Sequence, residues 1–166
     1  NPAAVIDDGS CIYPTTSTNI HTACDSYTWS ANSTTYTTSG TYTYVSTNAA
    51  GCDSTATLNL TINNSTSNSS TATACDSYTW GVNGTTYTAS GTYTDISTNA
   101  AGCDHTETLN LTINSSSTSS VLVTECDSLV WNGTTYTTSG TYTWVSTNSA
   151  GCDSTATLNL TIGGIY

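Results

Sequence analysis

Residues 126–162 read CDSLVWNGTTYTTSGTYTWVSTNSAGCDSTATLNLTI, and residues 24–62 and 75–113 spell nearly the same text. The first cysteines of these stretches, Cys24, Cys75 and Cys126, stand 51 residues apart each time. A fixed period of that size is the mark of a repeat architecture, in which each copy is one structural unit. Comparison of the copies shows what the unit does not vary: Trp29, Trp80 and Trp131; Tyr36, Tyr87 and Tyr136; Tyr42, Tyr93 and Tyr142; and the second cysteines Cys52, Cys103 and Cys152. The copies differ in length just ahead of Ser33, Gly84 and Gly133, where SAN and GVN shrink to the single Asn132. A change of length places a loop there.

Outside that loop the unit reads as strands. In the closing run of each copy Leu58, Leu60 and Ile62, Leu109, Leu111 and Ile113, and Leu158, Leu160 and Ile162 alternate with Thr and Asn. Period two with one apolar face describes a half-buried strand. SYTW places Tyr27 and Trp29 on one face, and GTYT, the TNAAG turn and the closing run form a hairpin. The residue after GTYT is Tyr44 in one copy, Asp95 in the next and Trp144 in the third, so it is expected to face solvent or a neighbouring molecule. Thr and Tyr favour strands, and Ser and Thr account for 65 of the 166 residues.

A unit of about 50 residues cannot bury enough surface to be stable without staples. The two cysteines of each copy lie 28, 28 and 26 residues apart. Repeat symmetry then predicts one disulfide per copy, Cys24 with Cys52, Cys75 with Cys103 and Cys126 with Cys152, each worth roughly 3 to 4 kcal/mol by loop-closure entropy. Disulfides imply an oxidising compartment. A metal reading of the same thiols lacks CxxC spacing and has only His21 and His105 to add. Cys11 is left over, to be free, bridged to another chain, or paired with a residue outside this sequence.

The chain holds no Lys or Arg against eleven acidic residues, a formal charge of −11. Nothing can neutralise phosphates, which excludes nucleic acid as a partner. Anionic lipid is disfavoured for the same reason, lysine-derived isopeptide crosslinks are impossible, and trypsin-like proteases have no site. No apolar run reaches the eighteen or so residues of a membrane span.

Residues 1–17, NPAAVIDDGSCIYPTTS, do not match the repeat. Asp7 and Asp8 ahead of Gly9 make an acidic turn that could contribute to a calcium site, although two carboxylates are too few alone and a solvated Asp-Gly turn accounts for them. Asn1, Pro2, Ala4, Asp7, Asp8, Gly9, Ser10, Cys11, Tyr13 and Pro14 resemble a motif CNYNPxAxxDDGSCxYP common in very long surface proteins of the Bacteroidota. The repeats resemble the tandem immunoglobulin-like or PKD-like modules of the same proteins, with text close to CDSYTWNGTTYTxSGTYTxxxTNxAGCDSTxTLNLTI. What the resemblance implies is an extracellular β-module of adhesins, stalks or filaments, with no catalytic residues to carry over.

The side-chain inventory also fails to support an enzyme. The two histidines occupy unrelated repeat positions, with His105 where the other copies have Ser54 and Ser154, and no oriented nucleophile-base pair is visible. Asp25, Asp53 and their repeats follow cysteines directly and suit turn hydrogen bonding better than a glycosidase pair. The repeated tryptophans suit a small core better than a sugar platform. Sequons stand at Asn32, Asn59, Asn63, Asn64, Asn68, Asn83, Asn110, Asn114, Asn132 and Asn159, so covalent glycans are a candidate modification.

The expected protein is therefore all-β: three tandem, small, disulfide-stapled Ig-like β-sandwich modules in an elongated rod. Residues 1–17 are an assembly segment, 18–63 the first module, 64–114 a linker with the second, and 115–166 a linker with the third. The polar stretches 63–70 and 114–120 are the spacers. The expected function is a non-enzymatic, extracellular or cell-surface filament or stalk subunit that self-assembles head to tail, with a carbohydrate-binding adhesin module as the alternative. Its partners are copies of itself and, in the alternative, surface glycans; no cofactor is called for beyond the possible calcium. Val5, Ile6, Ile12 and Tyr13 are the expected contacts at one end, Ile165 and Tyr166 at the other, with Cys11 at the joint and Tyr44 and Trp144 as lateral contacts.

Overall fold

The structure is a computed structural model that describes residues 14–49 and 51–163. All regular elements among the described residues are strands. The first repeat comprises β1 (Thr15–Cys24), β2 (Tyr27–Trp29), β3 (Thr34–Tyr36), β4 (Gly40–Thr47) and β5 (Asp53–Asn63). The second comprises β6 (Thr66–Cys75), β7 (Tyr78–Thr79), β8 (Thr86–Tyr87), β9 (Gly91–Thr98) and β10 (Asp104–Asn114). The third comprises β11 (Ser117–Glu125), β12 (Leu129–Trp131), β13 (Thr134–Tyr136), β14 (Gly140–Thr147) and β15 (Asp153–Ile162).

The structural repeat thus begins with a long strand ahead of the first cysteine. Stretches 63–70 and 114–120, expected as spacers, fall mostly inside β5, β6, β10 and β11, leaving residues 64–65 and 115–116 as the turns between strands. Thr and Ser extend readily into strands and tolerate an exposed face, so polarity alone does not make a segment a linker.

Each repeat forms one three-stranded sheet, in the orders β1-β5-β4, β6-β10-β9 and β11-β15-β14. The expected hairpin is present: β4 and β5 are antiparallel, with Tyr42 opposite Leu58 and Thr41 opposite Asn59. On its other side β5 pairs in parallel with β1, Thr18 opposite Thr57 and His21 opposite Leu60. Repeat three has the same registers, Val121 opposite Leu158 and Tyr142 opposite Leu158.

That parallel pair overturns the sandwich expectation. The strands belong to a β-solenoid of about 4 turns, not to Ig-like β-sandwich modules. Parallel neighbours require a long crossover, and here the crossover is the rest of the repeat, so the backbone coils back beside its starting strand. The remaining strands are two-stranded pairs, β2-β3, β7-β8 and β12-β13, of two or three residues each. They are too short to serve as the second sheet of a sandwich.

Period two does place the closing leucines inward. Trp29, Leu58 and Leu60 form a buried cluster with Tyr27, Tyr36, Tyr42, Ala56 and Ile62 packed on it. Trp80, Leu109 and Leu111 form its counterpart. In repeat three Leu158 and Leu160 are buried, while Trp131 is only half-buried. The conserved tyrosines pack ring to ring, with centroids 3.8 Å apart for Tyr36–Tyr42 and for Tyr87–Tyr93. The Tyr42 ring lies over Gly40, where an added Cβ would come within 3.3 Å of it; this close approach explains the repeated Gly-Thr-Tyr.

The loop of variable length is found where expected. Ser33 N–H and Gly84 N–H donate to the carbonyls of Trp29 and Trp80, both at 2.8 Å. In repeat three the loop shortens to Asn132 and Gly133, at φ 49° and 79°, the pair of positive angles that a two-residue type I′ hairpin turn needs.

By contacts the chain divides into two compact units, Asn1–Asn68 with Ile96–Thr106, and Ser69–Asp95 with Glu107–Tyr166. The first unit therefore holds repeat one together with the TNAAGC turn of repeat two. The second holds most of repeat two together with repeat three.

Candidate functional site

The chemistry-bearing residues gather at one place in each unit, the seam where the TN-x-AGC turn of one repeat meets the strand ends of the repeat before it. The turn itself is built by its asparagine. The Asn99 side-chain Oδ1 accepts from Cys103 N–H and Ala101 N–H, both at 3.0 Å. Asn148 Oδ1 likewise accepts from Cys152 N–H at 3.0 Å, and Asn48 Oδ1 from Cys52 N–H at 3.0 Å. Gly51, Gly102 and Gly151 follow at φ 79°, 83° and 83°, angles that L side chains avoid. All three turns hold the second cysteine buried at the mouth of the following strand.

The cysteine pairing corrects the expectation of one disulfide per repeat. Cys24 is bonded to Cys103, 79 residues away, and Cys75 to Cys152, 77 residues away. The first cysteine of a repeat thus reaches the second cysteine of the next repeat. Cys52 is disulfide-bonded as well, and Cys126 is a free, exposed thiol. The reason lies in the strands: Cys24 ends β1 opposite Asn63, at the end of the sheet where the next repeat starts. The Cα atoms of each described pair are 5.6 Å apart, within the normal range for a disulfide. The disulfides suit an oxidising environment. Among the described residues no helix is long and apolar enough to cross a membrane.

Polar contacts reinforce each seam. Asn63 Nδ2 donates to Ala101 O at 2.9 Å and Asn99 Nδ2 to Asn64 O at 2.9 Å. In the other unit Asn114 Nδ2 donates to Ala150 O at 3.0 Å and Asn148 Nδ2 to Ser115 O at 2.9 Å. Asp25 and Asp76, in the left-handed region at φ 61° and 63°, hold the turn between strands. Asp25 accepts from the Ser65 hydroxyl at 2.7 Å and Ser65 N–H at 2.8 Å. Asp76 accepts from the Ser116 hydroxyl at 2.6 Å and Ser116 N–H at 2.8 Å. This is the turn hydrogen bonding expected of the acids that follow the first cysteines.

The serine hydroxyl first, and then the serine amide, hold the carboxyls of Asp25 and Asp76 below the usual aspartate range. A carboxyl whose pKa is depressed by folding adds stability above its unfolded pKa, and that stability is lost as pH falls through the folded value. Stability should therefore be flat from neutrality down to the ordinary aspartate range and then fall in acid. The double variant Asp25→Asn with Asp76→Asn should flatten that acid limb, as measured by urea midpoints across pH.

The other predicted residues scatter. The His21 ring packs on Tyr27 with centroids 4.0 Å apart, and His105 Nδ1 hydrogen-bonds Thr66 Oγ1 at 2.7 Å, so the two histidines stand in separate structural contacts. Tyr44 and Trp144 are 37% and 43% exposed on β4 and β14, opposite Ala56 and Ala156. Among the sequons, Asn63 and Asn114 donate their amides across the seams. Asn32 and Asn83 donate to the Tyr36 and Tyr87 hydroxyls at 2.9 and 3.2 Å. Asn59, Asn110 and Asn159 lie on the polar face as expected and accept from Thr41, Thr92 and Thr141 at 2.9, 2.9 and 3.0 Å. Asn64, Asn68 and Asn132 are exposed. Asp7, Asp8, Val5, Ile6, Cys11, Ile12, Tyr13, Ile165 and Tyr166 lie outside the described residues.

Sequence reasoning missed the seam because its hydrogen-bonding partners lie 33 to 40 residues apart and its bonded cysteines 77 and 79 apart. The signal available was the Asn-x-x-Gly-Cys text repeated without change. Compared with known proteins, the chain matches no family model and no curated sequence.

Proposed function

We propose that this chain is a non-enzymatic structural subunit of an extracellular or cell-surface filament or stalk that self-assembles head to tail. The observation that carries the reading is the pairing of each repeat's first cysteine with the second cysteine of the repeat after it. A repeat joined in this way to its successor is a unit of indefinite extension, and such heterologous contacts propagate instead of closing. Supporting it are an all-β chain without a single Lys or Arg and the resemblance of the repeats to modules of bacterial surface proteins. Glycans on the exposed sequons Asn64, Asn68 and Asn132 belong to the same reading, since sugars there would leave the seam amides untouched.

Tyr44 and Trp144 favour a second reading, a carbohydrate-binding adhesin module, because exposed aromatic faces can stack on sugars. Negative-stain microscopy of native material separates the two. Fibres are expected, and dispersed monomers that bind a glycan array would replace the filament by the adhesin.

A further inference from the structure

We propose that Asn132 is a site of spontaneous covalent modification, where the Gly133 amide nitrogen closes a succinimide ring on the asparagine side chain and water reopens it as aspartate or isoaspartate. The proposal stands apart from the filament reading.

Ring closure meets least steric resistance where asparagine precedes glycine, because glycine has no side chain to shield its own nitrogen. The chain contains two such pairs, Asn83-Gly84 and Asn132-Gly133, both in the variable loop of their repeats. The reaction needs an asparagine side chain free to swing towards the backbone and a following N–H that no acceptor holds. In repeat two neither group is free. Asn83 Nδ2 donates to the Tyr87 hydroxyl at 3.2 Å, and Asn83 Oδ1 accepts from Thr85 N–H at 3.0 Å. Gly84 N–H donates to the Trp80 carbonyl at 2.8 Å.

Repeat three lacks all three bonds. Its loop shrinks to Asn132 and Gly133, so the hairpin closes directly from Trp131 to Thr134. Both turn residues take positive φ, 49° and 79°. A two-residue type I′ turn bonds its flanking residues to each other, which leaves the N–H between its two central residues without an acceptor. Asn132 and Gly133 are exposed, and the Asn132 side chain has no hydrogen-bond partner among the described residues. A Cβ added at Gly133 would meet nothing within 4 Å. The same dipeptide is therefore fastened at both reacting groups in repeat two and open at both in repeat three.

The Gly133 nitrogen attacks Asn132 Cγ. The N–Cγ bond forms, the Cγ–Nδ2 bond breaks, and Nδ2 leaves as ammonia with the proton that the Gly133 nitrogen gives up. One water then opens the ring, and nothing is oxidised or reduced. Cleavage of the new N–Cγ bond gives aspartate, which keeps the backbone and adds a negative charge. Cleavage of the original peptide bond gives isoaspartate, which inserts a methylene into the main chain of a turn whose register, Trp131 opposite Thr134, depends on its length. Nδ2 is also the atom that a sugar would occupy at the sequon Asn132-Gly133-Thr134, so glycosylation and ring closure exclude each other there.

The test holds full-length, disulfide-bonded protein free of glycan at mildly alkaline pH, where the amide nitrogen loses its proton more readily. Samples taken over time are digested in acid with a protease other than trypsin, and the aspartyl and isoaspartyl peptides are separated and identified by mass spectrometry. Asn132 should convert progressively to both products while Asn83 of the same molecules stays asparagine. In urea, with the fold removed, the two pairs should convert at similar rates. Tyr87→Phe removes one of the bonds that hold Asn83 and should speed its conversion by roughly two- to tenfold, the factor that one neutral hydrogen bond confers, with the Asn132 rate unchanged. Recovery of the Cys24–Cys103 and Cys75–Cys152 peptides from that variant shows that it folds. Asn132 intact in the folded protein but converted in urea would overturn the proposal, as would equal conversion of Asn83 and Asn132 in the folded protein. An Asn83 rate that Tyr87→Phe leaves unchanged would remove hydrogen bonding as the source of the difference, and with it the argument for Asn132.

Discussion

Replacing Cys75 and Cys152 together by serine should lower stability by about 4 kcal/mol, from the loop-closure entropy of a crosslink spanning this many residues. The separation is 77 residues, far longer than any pairing inside one repeat, and the constraint on the unfolded chain grows with the length of the loop. Both cysteines must change, because a single substitution leaves a stray thiol. The readout is urea unfolding: the midpoint should fall and the m-value should rise, since an unfolded chain freed of its crosslink exposes more surface. The control is Cys126→Ser, expected to lie within about 0.5 kcal/mol of the parent because an exposed, unbonded thiol contributes little. Disulfides confined to single repeats would instead make the loss of Cys126 as costly as the loss of Cys75. A large effect of Cys126→Ser on the monomer would therefore count against the pairing across repeats.

Trp29→Ala should destabilise by about 3 to 5 kcal/mol, the usual range for removing a fully buried aromatic. Trp29 is 1% exposed and sits with Leu58 and Leu60 at the centre of a very small cluster. Among the described residues the other buried members of that cluster are those two leucines, so little else there can move in to fill the space. Trp144→Ala is the comparison. At 43% exposed it should cost less than about 1 kcal/mol, as surface substitutions generally do. Thermal unfolding monitored by tyrosine and tryptophan fluorescence, with disulfides intact in both variants, reads the difference. Equal midpoints would mean that the core does not depend on its tryptophan.

Much of this architecture was legible in the chain itself. The 51-residue period, the inward alternation of Leu58, Leu60 and Ile62, the hairpin from Gly40 to Asn63, and the variable loop that ends as Asn132-Gly133 are all local. Each depends on residues within a few positions of one another, and periodicity and turn chemistry report such neighbours directly.

What the sequence could not decide was which strand lies beside β5, and everything distinctive about the fold follows from that. TTSTNIHTAC carries no apolar alternation strong enough to mark a strand: only Ala23 of it is even half-buried, and its one large aliphatic residue, Ile20, is exposed. Only the tertiary structure pairs it in parallel with Asp53–Asn63, and that pairing turns three expected sandwiches into a solenoid. The pairing also carries Cys24 past the end of its own repeat, beyond reach of Cys52 and within 5.6 Å, Cα to Cα, of Cys103. Two cysteines per repeat fit bonding within a repeat and bonding between repeats equally well. Sequence spacing measures contour length, whereas a disulfide forms between residues that the sheet brings together, so the repeat symmetry read from the chain was right and the partner it implied was off by one repeat.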